Sequence, residues 1–431
     1  MIARLFRSGC LSDRPFRFLF LGQGASILGD AMNTIAIAFA VIELTGSKTD
    51  LGEVLMARAL PLTVFLLIGG VWADRLPRRL VMLTSDAIRG ACQTVLAIAL
   101  LTDSATIPMM MALMAVYGSA EAFFRPALSG LVPQTVSAEH LQEAQALLGM
   151  TPAVGLALGS LAAGAIVTLI GPAGAIAVDA ATFAISAASL AAIRLTGVAL
   201  ASSRARSFVA DLADGWNEFR SRSWLVTVVC GETLYSLLVM PAIFVLGPFV
   251  AERSLGGADG WAVVISSFGI GLLLGGAISM RLRPRRPLVA AYLVTIPFTG
   301  WLIVLASVDS LPSAARLPVL SAACVVAGVT IAIAQTLLET TITQNVPAEA
   351  RSRISSWRLL GSVSCQPIGF AVIGPVAGVI GTSTAIWLGA AAVAVNIALV
   401  VGMPSVRVIT AAGSAVARAP IAGDSLNERG W

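Results

Sequence analysis

The chain has 431 residues, of which 57% are hydrophobic and only 12% charged, and its net charge at pH 7 is +5. A soluble domain carries about 25% charged residues, so water cannot be the solvent for most of a folded surface this size and lipid must cover it. Nor does the positive balance mark a nucleic-acid surface, because Lys48 is the only lysine and the arginines recur in short clusters between apolar runs.

Crossing a bilayer takes about 20 apolar residues of helix, and twelve runs approach that length. The first six lie at 17–42, 51–72, 80–101, 107–129, 144–168 and 173–193. The second six lie at 224–250, 260–280, 287–308, 317–338, 354–380 and 383–403. Spanning β-strands are much shorter and alternate in polarity, so these runs predict helices. The expected fold is an all-α membrane protein of two pseudo-symmetric six-helix bundles, over 1–194 and 223–404. Between them, 195–222 predicts a linker with a short amphipathic helix lying on the inner membrane face, and 405–431 predicts a polar tail.

Arginine placement sets the orientation. With both termini on the cytoplasmic side, 22 basic residues lie inside, from Arg4 through Arg358 to Arg429, and Lys48, Arg253 and Arg316 lie outside. Arg58, Arg89 and Arg125 fall within membrane runs. The N-terminus shows no cleavable signal pattern, so a multi-pass protein of the cell membrane is expected.

The two halves repeat each other. Gly69-Gly70 aligns with Gly275-Gly276 at an offset of 206, and Gln134 through Glu139 aligns with Gln344 through Glu349 at an offset of 210. Duplicated halves characterise secondary transporters, whose substrate site lies between the repeats near mid-membrane.

The loop after the second run reads Gly70-Val71-Trp72-Ala73-Asp74-Arg75-Leu76-Pro77-Arg78-Arg79. It resembles the signature loop of the major facilitator superfamily. Leu28-Gly29-Asp30, Arg58-Ala59-Leu60-Pro61, Phe124-Arg125-Pro126-Ala127 and Val178-Asp179-Ala180-Ala181 resemble its drug:proton antiporter branch, which holds macrolide-efflux and enterobactin-export proteins. The resemblance implies a conformational latch made by Gly70, Asp74, Arg75, Arg78 and Arg79. It also implies export of amphipathic compounds driven by proton entry. The second copy of the loop has Met280 in place of the aspartate, so a latch there would be weaker. Gly149, Pro152, Gly155 and Gly159 loosely resemble the antiporter motif of the fifth helix, and read as a bent helix packed closely at the interface of the halves.

Ionisable residues inside membrane helices mark a pathway or a pair. Asp30, Glu121 and Glu232 fall in helices 1, 4 and 7, which line the central cavity in the superfamily, and are candidates for proton coupling or substrate binding. Arg125 joins them, four residues after Glu121 and able to pair with it. Asp86 with Arg89, Arg58 with an acidic neighbour, and Asp179 read as structural. Glu339 lies near the inner surface. Met109, Met110, Met111, Met114, Tyr117, Phe123, Phe124 and Tyr235 are candidates to line an adaptable apolar pocket.

One histidine, His140, and five scattered cysteines offer no metal site, and there is no nucleotide-binding loop. The reading is therefore a transporter and not an enzyme, with no cofactor, working as a monomer on protons and a small molecule. Import or uniport of a nutrient or lipid, and a non-transporting membrane receptor, remain open on the residues.

Overall fold

The computed structural model describes residues 9–73, 76–194 and 216–410. The described elements are helical. In the first half they are α1 (Arg14–Leu44), α2 (Lys48–Ala73), α3 (Arg78–Leu101), α4 (Ile107–Leu131) and α5 (Leu141–Ala192). In the second half come α6 (Ser223–Pro241), a π-helical stretch (Ala242–Leu246), α7 (Gly247–Ser254), α8 (Ala258–Ser279), α9 (Pro287–Leu293) and α10 (Ile296–Ala306). Then follow α11 (Ser313–Asn345), α12 (Ala348–Ser364), α13 (Gln366–Ile380), α14 (Thr382–Gly402) and α15 (Pro404–Arg407).

Nine stretches among the described residues are long and apolar enough to cross a membrane. One of them, Ala138–Ala192, has 55 residues, nearly twice what a bilayer requires. It turns back at Gly171, where φ 79 and ψ 170 lie in a region open essentially to glycine alone. Helices α2 and α3 have 26 and 24 residues, also enough to cross. Each of the twelve runs read from the sequence falls on described helix.

Within lipid no hydrophobic force drives helices together, so close packing depends on small residues. Gly118 of α4 shows this: a Cβ there would lie 2.1 Å from the Arg58 carbonyl oxygen of α2. Gly155 and Gly159 of α5 seat α1 in the same way, facing Ile27 and Leu28. That corrects the expected role of these two glycines, which pack within their own half. Pro152 is exposed and Gly149 faces open space. It is Ala157 and Gly164 of α5 that meet the other half: Ser266 Oγ donates to the Ala157 carbonyl at 2.7 Å, and Gly164 lies against Ala262.

The second seam between the halves joins α2 to α13. A Cβ on Gly374 would lie 2.6 Å from Thr49 Cα, and one on Gly52 would lie 2.3 Å from the Phe370 carbonyl oxygen. Lys48 also sits 5.8 Å from the Phe249 ring centroid across the seam. These contacts cluster toward the end of the bundle that carries Lys48. Toward the opposite end, which carries Arg78, Gly149 and Gly276 face open space and Met280 is 77% exposed.

The Arg78 end has its own chemistry. Arg78 Nη1 donates to the Gly130 carbonyl at 2.5 Å, near the C-terminus of α4. Arg79 donates to Leu190 and Ala191 at 2.7 and 2.5 Å, at the C-terminus of α5. Arg351 reaches Thr343 on α11 at 2.7 Å and Arg407 reaches Val401 on α14 at 2.7 Å. Helix C-termini present unpaired carbonyls and a partial negative charge, and each of these guanidiniums meets both needs. Beside them, the turn Cys10–Ser12 is tied to α5 by the Cys10 amide, which donates to Glu143 at 2.8 Å. Burial, and then the Glu143 carboxylate, push the Cys10 thiol up to about 11.

The amphipathic helix expected in 195–222 lies mostly outside the described residues; Trp216 stacks on Phe219 and meets the Trp357 ring at a tilt. The tail from 411 lies outside them as well.

A Gly374→Leu substitution should wedge the halves apart at the Lys48 end. In a chain whose own cysteines are changed to serine, a Phe249→Cys thiol should then react with a maleimide several times faster than with Gly374 in place. Equal labelling rates would show that this seam does not hold the end closed.

Candidate functional site

Asp30 lies midway along α1, one residue after Gly29, which packs against Asp179 and Thr182 of the α5 return arm. The Tyr117 hydroxyl of α4 donates to Asp30 Oδ1. Arg89 Nη1 of α3 stands 3.7 Å from Asp30 Oδ2, and the aspartate side chain remains 30% exposed. Arg89 itself is 2% exposed and makes its short bond, 2.5 Å, to Asp86 one turn earlier. Ser186 donates to the other Asp86 oxygen at 2.6 Å. The Arg89 guanidinium is sandwiched by rings, 4.5 Å from the centroids of both Phe124 and Phe183. The aromatic faces supply attraction that missing water cannot.

Two further units flank this pair. Arg58 of α2 donates to Glu121 of α4 through Nε and Nη2 at 3.0 and 2.9 Å, and its guanidinium lies 4.9 Å from the Tyr117 ring centroid. Gln93 of α3 donates to the buried Asp179 at 2.7 Å. Tyr117 is thus the hub: its hydroxyl holds Asp30 while its ring contacts both arginines. The first half therefore contains one continuous polar core built from α1, α2, α3, α4 and the α5 return arm.

In the second half Glu232 of α6 is gripped by Arg358 of α12, with Nη2 at 2.6 Å and Nε at 3.1 and 3.2 Å from the two oxygens. Ser362 donates to Glu232 at 2.5 Å. The remaining Arg358 nitrogen bonds Glu339 of α11 at 2.5 Å. A cavity of about 280 Å³ lies beside this cluster, lined by residues of α6, α8, α9, α10, α11 and α14. A second cavity, of about 370 Å³, lies at the Lys48 end between the halves, with Lys48, Glu252, Arg253 and Asp309 in its wall.

Residues 19–369 match the family description Major Facilitator Superfamily. The chain belongs to this superfamily. Macrolide efflux protein A of Streptococcus pyogenes is 25% identical over 265 residues, 61% of this chain and 65% of that protein; the chain thus spans just under two thirds of that relative. Multidrug efflux pump Tap of Mycolicibacterium fortuitum is 26% identical over 376 residues, 84% of this chain and 88% of that one. In fold, the crystal structure of the nucleoside transporter NupG superposes with a TM-score of 0.71 at 12% identity, covering 90% of this chain and 98% of NupG. A bacterial homologue of ferroportin, solved in an inward-facing state, gives 0.70 at 14% identity over 90% of this chain.

Within the superfamily fold, the sequence-level candidates scatter. Asp30 and Glu121 come together around Tyr117, whereas Glu232 belongs to a separate cluster in the other half. The expected Glu121–Arg125 ion pair is not formed: Arg58 takes Glu121, and Arg125 is exposed. Arg358, read as an inner-surface arginine, is instead a partner of a membrane carboxylate. Asp74 and Arg75 of the expected latch lie outside the described residues, Gly70 falls within α2, and Arg78 and Arg79 bind helix ends. Gln93, Ser186, Ser362 and Asn396 were not singled out from sequence; their only signal is polarity inside an apolar run.

The Arg58–Glu121 pair offers a direct measure of this core. Removing one member of a buried pair leaves an uncompensated charge at a cost of about 3–5 kcal/mol. Arg58→Gln should therefore lower the thermal unfolding temperature in detergent sharply, and Arg58→Gln with Glu121→Gln should lower it less. A double variant as unstable as the sum of the singles would mean that the two side chains do not act as a pair.

Proposed function

We propose that this chain is a secondary active transporter of the cell membrane, working as a monomer, that exports drugs or amphipathic small molecules in exchange for protons by alternating access. Its relatives named as macrolide and multidrug efflux proteins support the direction of transport. With both termini cytoplasmic, the arginine-capped end faces inward and the Lys48 end faces outward. The halves then meet on the outer side and part on the inner side.

The observation that carries the coupling is the state of Asp30. It is the one member of the first-half core that is both partly exposed and incompletely paired, with Arg89 at 3.7 Å and committed elsewhere. A carboxylate so placed sits between two environments. Proton binding neutralises it, so Arg89 is left wholly to Asp86 and the core loses one negative charge. Proton release restores the charge and the attraction to Arg89. Rocking of the halves would present Asp30 to one side and then to the other. One elementary charge moved through 100 mV supplies about 2.3 kcal/mol, enough for a concentration ratio of about fiftyfold per proton.

In proteoliposomes, export of a lipophilic dye should follow an imposed inward proton gradient. Asp30→Asn should abolish the gradient-dependent part, and Asp30→Glu should keep part of it. Full gradient-driven export by Asp30→Asn would remove the coupling assignment, and uptake in place of export would reverse the direction.

A further inference from the structure

The first-half core joins four carboxyl groups and two guanidiniums, all on described segments. Arg58 pairs with Glu121, and Arg89 makes its short pair with Asp86. Asp30 has Arg89 only at 3.7 Å. Arg125, one turn beyond Glu121, is exposed and forms an ion pair with none of the four. Asp179 is fully buried, yet among the described residues it takes part in no ion pair. The charged groups on the helices around it are Asp30 on α1, Arg58 on α2, Asp86 and Arg89 on α3 and Glu121 on α4; the return arm over 172–192 adds none. An enclosed carboxylate without a counter-ion is costly in lipid, and its acid form is not.

The partners of Asp179 suit both forms. Gln93 Nε2 donates to Oδ2 at 2.7 Å and Thr182 Oγ1 to Oδ1 at 3.3 Å, which serves the ion. Gln93 Oε1 is buried with no partner. Turned over, the same amide sets that oxygen to accept from the acid. A permanent ion here would call for a cation, and a permanently neutral acid for an acceptor alone.

Position ties this acid to Asp30. A Cβ on Gly29 would lie 2.3 Å from Asp179 Oδ1, so the carboxyl rests against the α1 backbone one residue from Asp30. Asn33 follows one turn later on the same face of α1. It too is fully buried, and neither of its side-chain polar atoms is paired. Asp30 is 30% exposed and Asp179 is enclosed, so exchange with water reaches Asp30 first.

We propose that Asp179 is a second proton-carrying acid of the coupling site, loaded and unloaded through Asp30, so that the core carries two protons per cycle. The proposal rests on the reading of Asp30 as the coupling acid and deepens it. In the hand-over an O–H bond breaks at Asp30 and one forms at Asp179. The negative charge passes to Asp30, which takes the next proton from water. With both acids loaded, the carboxylates of Asp86 and Glu121 match the two guanidiniums and the core is neutral.

The test is an infrared pH titration of the full chain in lipid nanodiscs, reading the C=O stretch of protonated carboxyl groups. The parent should show two titrating components; Asp30→Asn should remove one and Asp179→Asn the other. Gln93→Met, which keeps Asp179 but removes its partner, should shift the frequency of the second component alone. In proteoliposomes with the membrane potential clamped at zero, the logarithm of ethidium accumulation should rise with the imposed pH difference at a slope of about two, and at about one in Asp179→Asn. Thermal unfolding verifies that each variant is folded. A parental slope in folded Asp179→Asn, or a second component that does not titrate, would make Asp179 a fixed neutral group and overturn the proposal. Should Asp179→Asn not fold, components left unmoved by Gln93→Met overturn it instead. If Asp30→Asn keeps full gradient-driven accumulation while the Asp179 component still titrates, the coupling reading of Asp30 fails and the second proton site stands. If Asp30→Asn loses accumulation while Asp179→Asn keeps the parental slope, the coupling reading stands and the second site fails.

Discussion

Polar groups removed from water by lipid must satisfy one another, and the Tyr117–Asp30–Arg89 arrangement shows how far this chain takes that requirement. One hydroxyl, one ring and two aromatic faces stand in for the hydration of two guanidiniums. Five helical segments must be in register for this to happen, so the position of the charges and the packing of the first half are one constraint. The close contact at Gly118 is part of it, because α4 must approach the α2 backbone for Arg58 to reach Glu121.

The same constraint explains why the halves are joined as they are. Contacts across the seam use glycine, alanine and serine against backbone, as at Gly374 with Thr49 and Ser266 with Ala157. Among the described residues no ion pair crosses the boundary, so separating the halves breaks none of them. The ionic clusters lie within each half, where a rocking motion does not break them. The halves can then move as rigid bodies, which suits a superfamily built on repeats pivoting around a central site.

Arginine serves two purposes in this chain. Its asymmetry across the helix ends was legible as a topological signal, but Arg78, Arg79, Arg351 and Arg407 also bind the terminal carbonyls of four different helices. The planar guanidinium offers several donors in fixed directions and stays charged, which accounts for an almost lysine-free basic set.

Run lengths, the repeat and the Gly70–Arg79 loop were sufficient to read the class of fold and the superfamily, because bilayer thickness imposes a length and lipid imposes a composition that single residues cannot hide. They also placed Asp30, Asp86, Arg89 and Asp179 inside the membrane. Pairing was another matter. Sequence spacing offered Arg125 to Glu121 along one helix, and the fold gave it Arg58 from another. Arg358 looked like one more inner-surface arginine until α12 was seen to bring it against Glu232. Partners 63 and 126 residues apart meet only when helices are set side by side. The order of helices around each bundle is decided by packing of small residues and by the sum of all polar contacts, neither of which any local stretch of sequence contains. The cavity beside Glu232 belongs to this second kind of knowledge, since it exists because of what six surrounding helices leave unfilled.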